Sequence, residues 1–255
     1  MGRITQLNIA EMVYFSMNLD LNEIERIEKL SLRALYTAFI EFGFDAWEYF
    51  RQSTDDPKDI AEDLTREILD RFGGYRIEQR ILGNVDYRKA RYVVLPELSQ
   101  RQALYVDSKA EKSTSSAALQ MSQLSMSVRQ VRGGDNTDVP GIIKPVEKFG
   151  DHSYLTTTLL AHYCYRSNES GSSRDVPPYY LSQVTLAAIP NGRLQDRYNP
   201  DQFDTIWIAG RNAPTRGEAF RARLSFNRLQ QKATWRVQTI KYNANHNTLS
   251  EEWRE

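Results

Sequence analysis

The sequence predicts an α/β protein built on a mixed β-sheet flanked by helices. Three observations carry this. Apolar residues recur at three-and-four spacing through the first 75 positions, the period of amphipathic helices. From about residue 82 the chain turns to runs rich in Val, Ile, Leu, Tyr and Thr, the composition of strands. Helices come first and strands follow, without the alternation that a doubly wound sheet requires.

Residues 20–51 read as a helix, with Leu21, Ile24, Ile27, Leu30, Ala34, Leu35, Ala38 and Phe39 on one side. Asp20 suits its cap, with Glu23 three residues on, and Gly43 ends or breaks it. A second helix, about 57–72, has Ile60, Leu64, Ile68 and Leu69 on one face and Gly73-Gly74 as its stop. Strands follow at about 82–95, 102–110, 155–166, 179–189, 220–228 and 235–242. A helix is expected near 114–128. After it comes a loop marked by Gly133-Gly134-Asp135-Asn136 and Pro140-Gly141. Ser167 to Pro178 is a polar excursion, and about 243–255 a polar tail in which Trp253 is the one candidate for docking. The expected organisation is one domain over 1–255, with a helical part (1–75), a central core (80–128) and a β-rich part (150–242).

At 255 residues, 40% hydrophobic and 26% charged, the chain can bury a sizeable core and has the balance of an ordinary soluble protein. No run approaches the roughly 20 apolar residues of a membrane span, and the start lacks a basic-then-apolar signal. The single Cys164, set among aromatics, reads as a buried thiol in a reducing cytoplasm. The net charge of zero is unevenly spread. Residues 1–74 carry 8 basic and 15 acidic side chains, and residues 193–241 carry 10 and 4. A basic face for a polyanion fits this, as does chance scatter.

The chemistry concentrates in a split acidic set, Asp86 in Gly83-Asn84-Val85-Asp86-Tyr87 and then Asp107-Ser108-Lys109 at the end of an apolar run. Strand side chains alternate with period two, so Asp107 and Lys109 share a face while Val106 and Ala110 turn to a core. Two carboxylates hold a hard divalent cation through oxygen. A lysine beside them orients an attacking water or steadies phosphate charge, which is what phosphodiester cleavage needs. The same pair also fits a solvent-facing salt bridge. A second Asp-x-Lys, Asp56-Pro57-Lys58, has no strand in front of it. Glu62, on the preceding helix, is either a third carboxylate or a solvated position.

Phe220 to Asn227 alternates, with Phe220, Ala222, Leu224 and Phe226 on one face and Arg221, Arg223, Ser225 and Asn227 on the other. Such a strand suits reading guanine O6 and N7 in the major groove. It equally fits a half-buried strand with a solvated basic face. Other chemistries lack their residues. There is no GxGxxG, no GxxxxGK[ST], no GxSxG and no zinc-ligand spacing among His152, His162, His246 and Cys164. His162, inside an apolar strand, reads as a satisfied core histidine.

These residues resemble the SfiI group of type II restriction endonucleases, which carry the PD-(D/E)xK nuclease fold, and the resemblance runs through nearly the whole chain. It rests on Leu19-Asp20-Leu21-Asn22-Glu23-Ile24-Glu25, Ala61-Glu62-Asp63-Leu64-Thr65, Asp86-Tyr87, Val106-Asp107-Ser108-Lys109-Ala110 and Leu119-Gln120-Met121-Ser122-Gln123-Leu124. Its most specific part is C-terminal: Arg197-Tyr198-Asn199-Pro200-Asp201, Pro214-Thr215-Arg216-Gly217-Glu218 and Arg221-Ala222-Arg223, at matching intervals.

The resemblance implies a restriction-endonuclease-like core with an added C-terminal DNA-reading β segment. It implies Asp86, Asp107 and Lys109 as catalytic residues with Glu62 as a further candidate, and Asp86, Asp107 and the Ser108 carbonyl as Mg²⁺ ligands. It implies Arg221, Arg223, Arg211, Arg216, Ser115, Ser116 and Gln123 as DNA contacts. Arg211, Ala213 and Ser115-Ser116 depart from the group's pattern, so the half-site can differ while a guanine pair persists. The group cuts interrupted palindromes, leaves 3′ overhangs, and works as dimers or tetramers in the prokaryotic cytoplasm. The expected protein is therefore a homo-oligomeric, tetrameric rather than dimeric, Mg²⁺-dependent endonuclease of double-stranded DNA. Its rivals are a structure-specific repair or junction nuclease and a non-catalytic DNA-binding subunit.

Overall fold

The computed structural model describes residues 19–71, 75–76, 90–94, 101–149, 151–168, 178–210, 221–243, 248–249 and 252–255; at 71, 75–76, 90–94 and 149 only the backbone is described. The expected long N-terminal helix is two: α1, Leu21–Glu41, and α2, Gly43–Gln52, broken at Phe42. Asp20 caps α1 through the Asn22 N–H. At Gly43 an added side-chain carbon would meet the end of the Leu249 side chain, which would have to shift to admit it. Helix α3, Pro57–Arg71, follows as predicted.

Then come β1 (Tyr75–Arg76), β2 (Ala90–Val94), β3 (Arg101–Glu111) and β4 (Ser116–Leu119). The helix expected near 114–128 is absent. That stretch is β4, a 3₁₀ turn at Met121–Gln123 and the start of β5, Val128–Arg132. Ala and Leu favour helix locally. Here β4 instead pairs over four positions with a strand from the C-terminal third, and that pairing overrides propensity.

Strand β6, Asp135–Val139, returns from β5 through Gly133 and Gly134, both at positive φ. The expected loop is thus a two-residue hairpin turn of the kind that glycine permits. Next come β7 (Val146–Phe149), which the sequence did not signal, β8 (His152–Ser167), β9 (Tyr179–Ile189) and the short α4 (Gln195–Tyr198). After β10 (Trp207–Ile208) the predicted strand 220–228 shortens to β11, Ala222–Ser225. The Ser225 side chain accepts from the Arg228 N–H and caps α5, Phe226–Lys232, so the chain turns helical at Phe226. Strand β12 (Val237–Asn243) pairs with β13 (Thr248–Leu249). The tail docks: Trp253 meets Tyr36 edge to face at 5.4 Å, and Arg254 exchanges hydrogen bonds with Gln238.

The main sheet runs β1-β2-β3-β8-β9-β12-β13, with β7 also on β8. Among the described strands of this sheet only β3 and β8 pair in parallel, so the sheet is mixed. On one face lie the helices, where Leu32, Leu35, Phe39, Phe50, Ile60 and Ile68 pack on Leu104, Val106, Leu159, Ala161 and Tyr163. Tyr163 stacks on Phe50, and its hydroxyl meets the Thr65 hydroxyl at 2.9 Å, tying α3 to β8. On the other face lies a three-stranded sheet, β10-β11-β4, whose Trp207, Ala222, Leu224, Ala117 and Leu119 share a core with Leu155, Leu160 and Ala187. Each fully buried leucine contributes roughly 2 kcal/mol. The two faces explain the alternation Leu159/Leu160/Ala161 along β8.

Part of the charge asymmetry is spent inside the molecule. Glu28 and Arg236 form a fully buried pair at 2.7 Å, and Arg236 lies 4.2 Å over the Tyr198 ring. Glu25 binds Arg197, and Lys232 binds Asp204. Arg228 is anchored on the Trp207 carbonyl. No described helix is long and apolar enough to cross a membrane.

Candidate active site

Strand β3 presents alternate residues to opposite faces. Val106 turns to the helical core and Ala110 packs against it, while Asp107, Lys109 and Glu111 turn to the face that carries the small sheet. The lysine ammonium lies 2.8 Å from Asp107 Oδ2. Gln123, in the 3₁₀ turn, donates to Asp107 Oδ1 at 2.7 Å and accepts from the Gln120 N–H. One carboxylate is thus met by a hydrogen bond at Oδ1 and an ion pair at Oδ2, in the C-terminal half of β3, where its side chain is still 9% exposed. The Asp107 carboxylate offers hard oxygens of the kind that suit a divalent cation.

Asp86, Arg211 and Arg216 lie outside the described residues. Among the described residues no three His, Cys, Asp or Glu side chains converge. Glu62 is exposed on α3, whose Ile60, Ala61, Ile68 and Leu69 are buried.

Of the two arginines, Arg221 is exposed ahead of β11, and Arg223 is half-buried. Arg223 sits opposite Ala118 of β4. Its Nη1 donates to the Ser116 hydroxyl at 3.0 Å and to Glu111 Oε2 at 3.4 Å. Ser116 is therefore turned inward, while Ser115 is exposed and its carbonyl accepts from the Phe226 N–H. The strand pairings β3–β8 and β11–β4 and the short link from Glu111 to Ser116 bring the Asp107/Lys109 face and the arginine strand together. Glu111 had one sequence signal: it continues the period-two row of Asp107 and Lys109.

His162 faces the same side, in register with Lys109. It is fully buried against Phe226, with Glu111 Oε2 3.9 Å from Nε2. Neither ring nitrogen has a hydrogen-bond partner among the described residues, so the expected satisfied core histidine is buried but not satisfied. Burial, and then the nearby Arg223 charge, push its pKa down to about 4. Cys164 is buried as expected.

Comparison with known proteins places these features in context. A family model described as type II restriction enzyme SfiI matches residues 26–240. Type II restriction enzyme SfiI of Streptomyces fimbriatus is 30% identical over 250 residues, covering 93% of this chain and 91% of that protein. The crystal structure of tetrameric restriction endonuclease SfiI bound to cognate DNA is similar with a TM-score of 0.80 at 29% identity, over 94% of this chain and 92% of that one. Restriction endonuclease BglI, solved bound to its DNA recognition sequence, shares the fold with a TM-score of 0.70 at 15% identity, over 92% of this chain and 98% of that one.

Proposed function

The chain belongs to the family of type II restriction enzyme SfiI, and on that premise we propose that it cuts duplex DNA at an interrupted, GC-containing palindrome with Mg²⁺ as its cofactor. The observation that carries the active-site assignment is Asp107 held by Lys109 and Gln123 in the C-terminal half of β3.

Asp86, Asp107 and the Ser108 carbonyl are the residues that would hold the cation. When bound, the cation neutralises phosphate charge and favours ionisation of water. Lys109 keeps its ammonium beside Asp107 Oδ2 and offers its remaining N–H groups to the attacking water and a phosphate oxygen. Attack is in line on phosphorus. The P–O3′ bond breaks, leaving 5′-phosphate and 3′-hydroxyl ends, with 3′ overhangs. Glu62 is a candidate helper at the same site. Arg221 and Arg223 read guanines, with Arg211, Arg216 and Ser115 as further DNA contacts, while Ser116 and Gln123, expected as DNA contacts, are turned onto Arg223 and Asp107 and act through those residues.

A palindrome calls for subunits related by a two-fold axis, each on one half-site. The tetrameric state of the DNA-bound SfiI structure supports a tetramer here. The test is digestion of one-site and two-site plasmids with Mg²⁺, followed by sequencing of the cut ends. Discrete fragments with one recurring site, formed faster from two-site plasmids, are the expected result. Structure-dependent nicks or intact plasmid would overturn the proposal.

A further inference from the structure

We propose that Glu111 is a positioning residue for Arg223, fixing one side of the guanidinium so that the other side is presented to a base edge. This rests on reading Arg223 as a base contact. Arg223 carries five N–H donors in a rigid fork. Its Nη1 is committed to Glu111 Oε2 and the Ser116 hydroxyl, whereas Nε and Nη2 carry no hydrogen bond among the described residues. Those two nitrogens form the side-on edge of the fork, which can bond two acceptors together, as guanine O6 and N7 require.

Glu111 is itself held. Its Oε1 accepts from the Ala118 N–H at 3.2 Å, and Ala118 is the residue opposite Arg223 in the β4–β11 ladder. The carboxylate is thus pinned to the strand that pairs with the arginine it holds. A free arginine side chain loses rotamer freedom when it orders on DNA. An anchored one has met much of that cost in the folded protein. Glu111 also stands two positions beyond Lys109 on one strand face, so the anchor of the arginine and the Asp107/Lys109 pair ride on the same rigid element.

Glu111→Gln tests this cleanly. Glutamine keeps the acceptor for Ala118 but sets an amide donor against the Nη1 donor. The probes are a duplex carrying the sequence found at the cut ends and a random duplex of equal length. Affinities for both are measured for wild type, Glu111→Gln, Arg223→Ala and the double variant.

The expected result is that Glu111→Gln lowers the cognate-to-random ratio about tenfold. Random-duplex affinity holds or rises, since a negative charge has gone. Adding Glu111→Gln to Arg223→Ala costs little more. If the two losses add, or if Arg223→Ala lowers the ratio and Glu111→Gln does not, Glu111 does not act through Arg223. If Arg223→Ala leaves the ratio unchanged, the base-reading assignment itself fails. Should Glu111→Gln not fold, Ser116→Ala removes the other Nη1 acceptor, and an unchanged ratio there contradicts the proposal.

Discussion

Gln123 and Asp107 are joined by a hydrogen bond of 2.7 Å from the amide Nε2 to the carboxylate Oδ1. The 3₁₀ turn after β4 delivers this amide to the sheet face, and the same side chain closes a capping box on Gln120. Lys109 takes the other carboxylate oxygen, so Asp107 has little freedom to rotate. A group that orients a metal ligand in this way tunes metal affinity by about 10- to 100-fold. Gln123→Leu is expected to raise the half-saturating Mg²⁺ concentration of single-turnover cleavage about tenfold, with metal-free DNA affinity nearly unchanged. A loss of DNA affinity at unaltered metal dependence would make Gln123 a DNA contact instead.

Arg221, exposed and one position before β11, is expected to behave as a base reader. It lies roughly 7 Å along the chain from Arg223, a span suited to neighbouring base pairs. Arg221→Ala should weaken cognate binding by about 1–3 kcal/mol and leave random-duplex binding nearly unchanged across a salt series. Parallel losses on both duplexes with a shallower salt slope would identify a phosphate contact.

The buried Glu28–Arg236 pair joins α1 to the turn before β12. Burial pushes the Glu28 carboxyl up and Arg236 opposes it, while Glu28 and Tyr198 hold Arg236 charged. Arg236→Leu should cost about 3–5 kcal/mol in denaturant unfolding, because it strands a buried carboxylate. The double change Arg236→Leu with Glu28→Leu should recover a large part of that. Additive losses would mean that the two residues act independently.

His162 predicts an acid-side loss of stability. Its folded pKa is depressed from 6.5 to about 4, so below pH 6.5 the unfolded chain binds the proton more tightly. Its contribution is complete above about pH 6.5 and lost as pH falls towards 4, about 2–3 kcal/mol by pH 4.5. Urea unfolding of wild type and His162→Leu at pH 7 and 4.5 checks this. An equal acid loss in both would place the titration elsewhere.

The parts legible in the sequence were those fixed by local period. Helix α3 and the β3 face that shares Asp107 with Lys109 follow from spacing, and β9 at Tyr179–Ile189 from local composition. The misread stretches depend on distant partners. Ser116 to Leu119 is a strand only because β11 lies beside it, and Phe226 leaves the strand because Ser225 caps a helix. The hydrogen bond from Gln123 to Asp107 and the Arg223–Glu111 contact carried no sequence signal of their own, since both arise where separate elements meet. The uneven charge pointed outward to a polyanion, yet Arg228, Lys232 and Arg236 are bound within the fold.

The most direct test of the central assignment compares single-turnover cleavage and DNA binding for wild type, Asp107→Asn and Lys109→Ala. Loss of a metal ligand or of the ammonium beside the phosphate should remove about 4 kcal/mol or more of transition-state stabilisation, ~10³-fold in rate. Cognate binding without metal should persist, and Asp107→Asn should bind as tightly as wild type or tighter, since one repulsion with phosphate has gone. Cleavage by either variant at near wild-type rate would contradict the assignment of Asp107 and Lys109 to the active site.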